Sequence, residues 1–346
     1  MDAATRIEAP LSLPASWYSD PALWQRERQA IYGTSWNLIA RADQLETPGS
    51  YVAHVVAGWP VFVLRGRDGA LRAFHNVCRH RASPIVEDGQ GRCEVLRCRY
   101  HGWVYDQDGT LRRTPGFGAD IDLAEFGLIP IRVESWRSLV FVCLDRKAPP
   151  LALWLGSLTE RAAGYPLERM KFHRMMVIDL GVNWKTYGDN YAEGYHVPTV
   201  HPALNRAIRM DTYEVECAVA EGVQVHRAAA AGGGTSGLWL WKFPGLFFNI
   251  YDWGMSVVRL EPLDHLRSQL VYWYLFTDDS PETRARRDEM MTWSLTIVEE
   301  DKQICREVQR NLDAGIYDTG RLSPVLETGV IQFQDWVRGR LASAGD

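Results

Sequence analysis

The hydrophobic pattern changes character twice along the chain. Residues 21–32 set Leu23, Trp24, Ile31 and Tyr32 at helical spacing behind Asp20, a capping residue, and predict an amphipathic helix. From Ser50 to Leu144, short runs rich in Val, Ile, Phe and Tyr alternate with turn residues such as Asp68-Gly69 and Asp108-Gly109. The runs are Tyr51–Val56, Pro60–Leu64, Leu71–Phe74, Cys93–Leu96, Trp103–Tyr105, Ile129–Val133 and Leu139–Leu144, and they predict a small all-β unit. The polar, Pro-ended stretch from Asp145 to Pro150 reads as a linker. Beyond it the pattern is mixed. Phe172–Leu180, Leu238–Ile250, Ser256–Leu260 and Gln269–Phe276 read as strands, and Asn183–Glu193 reads as a helix. A long helix from Glu282 to about Ala314 carries Met291, Leu295, Val298, Cys305, Val308 and Leu312 on one side, and a last helix spans Pro324 to Leu341. The Ala- and Gly-only tract Ala228–Gly234 predicts a loop.

A length of 346 residues agrees with two domains at roughly 150 residues each. Hydrophobic content of 46% and charged content of 23% are ordinary for globular chains and exclude disordered and fibrous classes. A net charge of −5 supplies no basic field for nucleic acid or an anionic membrane, so neither is expected as a partner. Six Cys are too sparse for a disulfide scaffold, and Met1-Asp2-Ala3-Ala4-Thr5-Arg6 has neither a basic nor an apolar leader segment. A cytoplasmic location with reduced thiols is the expectation. Apolar runs such as Leu139–Leu144 fall far short of the ~18 residues that a spanning helix needs.

The β-rich unit holds Cys78-Arg79-His80 and, after seventeen intervening residues, Cys98-Arg99-Tyr100-His101-Gly102-Trp103. Common zinc fingers place two Cys first and two His last, whereas each pair here is mixed. A Rieske-type [2Fe–2S] cluster needs two Cys on one iron and two His on the other, which two mixed pairs supply. Cys93 lies between the pairs and reads as a buried strand residue.

The second constellation is Glu193-Gly194-Tyr195-His196-Val197-Pro198-Thr199-Val200-His201. Two His five apart would diverge by ~140° on an ideal helix, and Pro198 between them breaks the helix so that both can turn to one centre. Two His plus one carboxylate form a facial triad that leaves open positions on non-haem Fe(II). Glu193 sits three before His196, as in di-iron bundles, but no other His has a Glu three positions earlier. The carboxylate is therefore either Glu193 or a distant acid.

These two motifs resemble those of the Rieske non-haem iron oxygenases, and the likeness covers roughly residues 35–340. The resemblance implies an α+β fold: an N-terminal all-β Rieske domain plus a C-terminal catalytic domain of helices on an antiparallel sheet. The domains would be 36–148 for the cluster and 149–346 for mononuclear iron, with 1–35 as a helical extension packing on the catalytic domain. It also implies that Cys78, His80, Cys98 and His101 hold the cluster, and that His196, His201 and Asp301 hold iron. Asp301 is carried over from Glu299-Glu300-Asp301-Lys302-Gln303-Ile304-Cys305-Arg306-Glu307-Val308-Gln309, where Glu300 is its rival. Glu193 takes the place of an acid that bridges to His101 of a neighbouring subunit. Most members have Asp there; Glu looks more like the branch acting on carnitine, betaine and related quaternary ammonium compounds.

The implied protein is a terminal oxygenase component in head-to-tail homotrimers, using O2 with electrons from NAD(P)H through a separate reductase or ferredoxin. The chain has no second cysteine cluster, and about 150 residues for the cluster and 200 for the iron leave none for a reductase. A small organic substrate is expected, hydroxylated or oxidatively demethylated. Trp239, Trp241, Phe247, Tyr251 and Trp253 are candidate pocket walls that could hold a quaternary ammonium by cation–π attraction. An aromatic-ring hydroxylase or O-demethylase would use the same walls. A ferredoxin-like carrier or zinc-stabilised binding protein would explain the first constellation alone. Cys143, Cys217, Cys305, His54, His75, His173, His226 and His265 are assigned to structure.

Overall fold

The computed structural model describes residues 10–118, 121–232, 237–251 and 254–343. It divides into two compact units. One is Tyr32–Trp154; the other joins the segment before Tyr32 to the chain from Leu155 onward. Their edges fall a few residues outside the expected 36–148.

The first unit contains β1 (Asn37–Arg41), β2 (Ser50–Val56), β3 (Trp59–Arg65), β4 (Leu71–His75), β5 (Gly89–Arg92), β6 (Leu96–Arg97), β7 (Val104–Tyr105), β8 (Leu111–Arg113), β9 (Pro130–Trp136) and β10 (Leu139–Cys143). Seven strands form a sheet in the order β1-β10-β9-β4-β3-β2-β5, and β6-β7-β8 form a small second sheet. Every pairing is antiparallel. Strand β3 is buried on both faces, which is why it reads as a continuous apolar run. Val61 and Val63 pack with Val52, Val140 and Val142, whereas Phe62 and Leu64 pack with Phe74, Cys78, Cys98 and Trp103. The expected strand Cys93–Leu96 is mostly connection, since only Leu96 enters β6. Strand β5 was unreadable beforehand because Gly-Gln-Gly-Arg has no apolar pattern; it pairs to β2 through its backbone.

The second unit contains α1 (Pro21–Glu27), α3 (Leu158–Arg161), β11 (Lys171–Asp179), α4 (Trp184–Tyr191), α5 (Val197–Val200) and α6 (Pro202–Ala207), with α2 (Leu151–Leu155) at the boundary in sequence. Then follow β12 (Glu214–Ala218), β13 (Val223–Ala228), β14 (Gly237–Lys242), β15 (Leu246–Tyr251), β16 (Gly254–Pro262), β17 (Ser268–Phe276), α7 (Arg284–Asp313) and α8 (Thr328–Ser343). The strands form one antiparallel sheet, β11-β17-β16-β15-β14-β13-β12. The expected strand Leu238–Ile250 is a hairpin, turned at Phe243-Pro244-Gly245. Asn183 caps α4 by accepting the Lys185 N–H at 2.9 Å. Helix α7 buries Met291, Ser294, Val298, Asp301, Cys305 and Gln309, a stripe turned slightly from the expected one, so Val308 is 44% exposed. Among the described residues no helix is long and apolar enough to cross a membrane.

A buried ion pair ties α1 to α4. Lys185 and Glu27 are both fully buried with Nζ and Oε1 2.6 Å apart, and Trp184 Nε1–H donates to Glu27 Oε2 at 2.9 Å. Burial pulls the Lys185 pKa down, and the Glu27 carboxylate opposes that. Removing one partner strands the other charge in the interior. Glu27→Ala is expected to lose ~3–5 kcal/mol in urea unfolding, and the double replacement Glu27→Leu with Lys185→Met should recover most of it. A single variant as stable as the parent would show that the pair contributes little.

Candidate metal centres

The Cys78 and Cys98 segments are the same backbone device used twice. Cys78 N–H donates to Ser83 O and Ala82 N–H to Cys78 O; likewise Cys98 N–H donates to Trp103 O and Gly102 N–H to Cys98 O. Each turn needs a left-handed residue four after its Cys, Ala82 at φ 57° and Gly102 at φ 71°. This closure folds each His back beside its own Cys. The His80 and His101 rings end up 4.6 Å apart, with His80 stacked on Trp103 at 5.0 Å.

Cys78 and Cys98 are both buried, and their thiols are neighbours. Tyr105 accepts the Arg79 N–H at 3.1 Å, so its hydroxyl donates to Cys78 Sγ at 3.4 Å. Burial pushes the Cys78 thiol up. At Cys98 burial acts in the same sense, but the Tyr100 and His101 N–H groups and the Cys78 thiol outweigh it and bring the thiol below its ordinary value. Among the described residues the buried Nδ1 atoms of His80 and His101 have no partner. Two soft sulfurs and two unpartnered imidazole nitrogens on facing loops fit a [2Fe–2S] cluster with mixed ligands. Cys93 stands apart, half-buried, with its thiol toward Gly49 O at 3.8 Å.

In the second unit the helix breaks earlier than Pro198. Helix α4 stops at Tyr191, and Pro198 instead starts α5, where its missing N–H does no harm. His196 and His201 therefore flank a four-residue helix. Gly194 permits this turn: a Cβ there would lie 2.4 Å from the Tyr213 ring. Glu193 Oε1 bonds His196 Nδ1 at 2.6 Å, and its Oε2 accepts the His196 N–H at 3.1 Å and the Tyr195 N–H.

Each imidazole is clamped through Nδ1 by a carboxylate, which turns its Nε2 inward. Glu300 Oε2 holds His201 Nδ1 at 2.7 Å, just as Glu193 holds His196. The two Nε2 atoms lie 3.2 Å apart, and Asp301 Oδ1 is 2.9 Å from one and 3.5 Å from the other. The ligand atoms of His196, His201 and Asp301 all fall within 4.8 Å of one another. Asp301 thus converges with the histidines, whereas Glu300 lies on the far side of His201. Asn190 Nδ2 donates to Asp301 Oδ1 at 2.7 Å, a partner the sequence pattern did not mark.

Three carboxylates around two imidazoles leave excess negative charge. Burial opposes charging of His196, yet Asp301 and Glu193 outweigh it and lift its pKa to about 9, and His201 moves the same way. Burial likewise raises Asp301, but the two imidazoles prevail and hold it at about 2. A site that draws protons so strongly is a seat for a cation, and its donor set fits ferrous iron.

One face of the sheet runs beside this centre. The register places His226, Trp239, Asn249, Ser256 and Tyr274 in one cross-strand row. Tyr191 at the end of α4 packs on Phe247 at 4.3 Å and donates to Asn249 Oδ1 at 2.9 Å. Of the expected pocket walls, Trp241 and Phe247 are fully buried, Trp241 against Phe333 at 4.9 Å and Phe247 against Tyr191. Trp239 and Tyr251 remain partly exposed and are joined by Trp239 Nε1–H to Tyr251 Oη at 3.0 Å. Trp253 lies outside the described residues. Trp293 and Tyr213, unmarked by sequence, complete that group: Tyr251 meets Trp293 at 5.8 Å and Trp239 meets Tyr213 at 6.3 Å. Trp293 was legible only as the residue two four-residue steps before Asp301 on α7.

Comparison with known proteins agrees with this layout. The Rieske [2Fe-2S] domain matches residues 35–133, and the ring hydroxylating alpha subunit catalytic domain matches 167–239 and 231–343. Choline monooxygenase of Spinacia oleracea is 28% identical over 95% of this chain and 78% of its own length. The carnitine monooxygenase oxygenase subunit of Acinetobacter pittii is 27% identical over 94% of each. The crystal structure of a quaternary ammonium Rieske monooxygenase with L-carnitine superposes with a TM-score of 0.86 at 26% identity, over 96% of each chain. The chain therefore belongs to the Rieske non-haem iron oxygenases, as the oxygenase component that works with a [2Fe–2S] cluster, mononuclear iron, O2 and electrons from a reductase.

Proposed function

We propose that this oxygenase acts on a small quaternary ammonium compound, hydroxylating or oxidatively demethylating it. The observation that carries this reading is the group of four rings, Tyr213, Trp239, Tyr251 and Trp293, in edge and face contact. Three of them, Tyr213, Trp239 and Trp293, pack on the buried cluster that contains Val197, the residue after His196. Aromatic faces attract an alkylated ammonium by ~0.5–2 kcal/mol per contact and demand no hydrogen bond from it. Relatives named for choline and carnitine point the same way.

In this reading residues 36–148 house the cluster and 149–346 the iron, with 1–35 an extension on the iron domain. Cys78, His80, Cys98 and His101 hold the cluster, and His196, His201 and Asp301 hold the iron; when bound, these groups supply single electrons and a centre that activates O2. Glu193 and Glu300 keep the Nε2 atoms of His196 and His201 turned toward that centre. Asn190 holds Asp301 in place. Glu193 also serves as the bridge to His101 of a neighbouring copy in a head-to-tail homotrimer. In support, Glu193 lines a recess of about 640 Å³ with Val308 and Tyr317, and Tyr100 beside His101 is 54% exposed. Both are apolar surfaces suited to a second copy.

Asp301→Ala is expected to lose mononuclear iron while keeping the visible spectrum of the cluster. Glu300→Gln should keep iron but weaken its retention about 10–100-fold. Iron retained by the first variant and lost by the second would exchange the two roles. Glu193→Gln should hold both metals yet turn over about 100-fold more slowly with reductase present; normal turnover would end the bridging role. O2 uptake with a reductase should respond to choline, carnitine and betaines and not to arenes, and the reverse response would favour an aromatic-ring hydroxylase instead.

A further inference from the structure

His226 on β13 is 1% exposed and lies outside both metal-ligand sets. Its Nδ1 is engaged by Tyr213 Oη at 2.9 Å. Its Nε2 is buried and has no partner among the described residues. Buried polar atoms are almost always paired, so one left open beside a functional centre calls for a ligand.

The protonation of the ring follows from its surroundings. Burial pulls His226 down to about 3, and the charge of nearby His196 acts in the same direction, so the ring is neutral. A neutral imidazole carries one N–H. The Tyr213 hydroxyl has no other partner among the described residues, so it is assigned as the donor to the Nδ1 lone pair, an arrangement that leaves the hydrogen on Nε2. His226 thus offers a fixed donor in an otherwise apolar and aromatic region, with Tyr191 edge-on to it at 5.6 Å.

Position says what the donor would meet. His226 pairs directly with Trp239 across β13 and β14, and Tyr213, its hydrogen-bond partner, stacks at 6.3 Å on that same Trp239. His226 therefore adjoins, through Tyr213 and Trp239, the four rings assigned above to the ammonium. We propose that His226 is a specificity-determining residue whose Nε2–H donates to an oxygen acceptor on the substrate, a carboxylate or hydroxyl, at the end opposite the alkylated nitrogen. Tyr213 is the positioning residue that sets the tautomer. The inference rests on the quaternary ammonium reading only for the other end of the substrate.

The test is equilibrium binding by calorimetry to the iron-loaded, cluster-loaded protein without reductase. The probes are carnitine and choline, which carry an acceptor, and tetramethylammonium, which carries none; benzoate and toluene form the same contrast without the cation. His226→Phe should weaken carnitine and choline by about tenfold and leave tetramethylammonium within about twofold, and His226→Gln should restore part of the loss. Tyr213→Phe, which keeps His226 and the ring, should show the same selective loss at about threefold, a check should His226→Phe fail to fold. Equal loss for probes with and without an acceptor, or no loss for either, overturns the assignment. Parent protein that binds benzoate but no ammonium probe overturns the quaternary ammonium reading instead, and the benzoate–toluene difference then decides His226 by the same criterion.

Discussion

Excess negative charge in a buried space is the constraint around which the catalytic unit is arranged. Glu193, Glu300 and Asp301 surround two imidazoles, and the pKa values of both His rise because of it. Protons on the imidazoles or a bound cation offset that charge, and the fold holds the acids in place for it. Glu193 does so from a turn that Gly194 makes passable, and Asp301 from the buried stripe of α7, where Asn190 donates to it. The two outer acids do not compete for the centre, because each is occupied by an Nδ1 atom. What remains inside is two Nε2 atoms and one carboxylate oxygen, close enough together to hold one cation.

The cluster unit solves a different problem. Its four candidate donors come from two loops that must be brought face to face. Identical backbone closures at Cys78 and Cys98 do this, each with a left-handed residue four positions on. The sheet beneath supplies a rigid floor, since alternate residues of β3 serve two separate cores. Phe62 and Leu64 belong to the core that also contains both cysteines, so the loops are anchored by packing as well as by hydrogen bonds.

How much of this was legible in the chain varies with the range of the interaction. Strands β2, β3, β4 and β10 announced themselves because turn residues bracket runs buried by the sheet. Strand β5 did not, having no apolar side chain. Strands β14 and β15 merged into one run because Phe243-Pro244-Gly245 turns the chain without a polar break. The stripe of α7 was read one step off, since a buried Asp301 looks like a solvated charge until its partners, Asn190 on α4 and His201 just after α5, are seen. The same blindness hid Lys185 and Glu27, each of which is unremarkable alone and stable inside only beside the other.

The sequence by itself marked the candidate donors: Cys78-x-His80 with Cys98-x-x-His101, and His196 with His201, are donor types whose spacing is local, and local spacing survives folding. It also showed a strand-rich stretch ahead of a mixed one, because the hydrophobic pattern changes after Leu144. Only the tertiary structure decided which acid meets the histidines. Glu300 and Asp301 are neighbours in sequence, yet a helix sends adjacent side chains about 100° apart, so one clamps His201 from outside and the other faces inward. It likewise decided that the Nε2 of His226, one of nine histidines, is buried with no partner among the described residues, because that depends on Tyr213 across a β-hairpin and on what surrounds the ring.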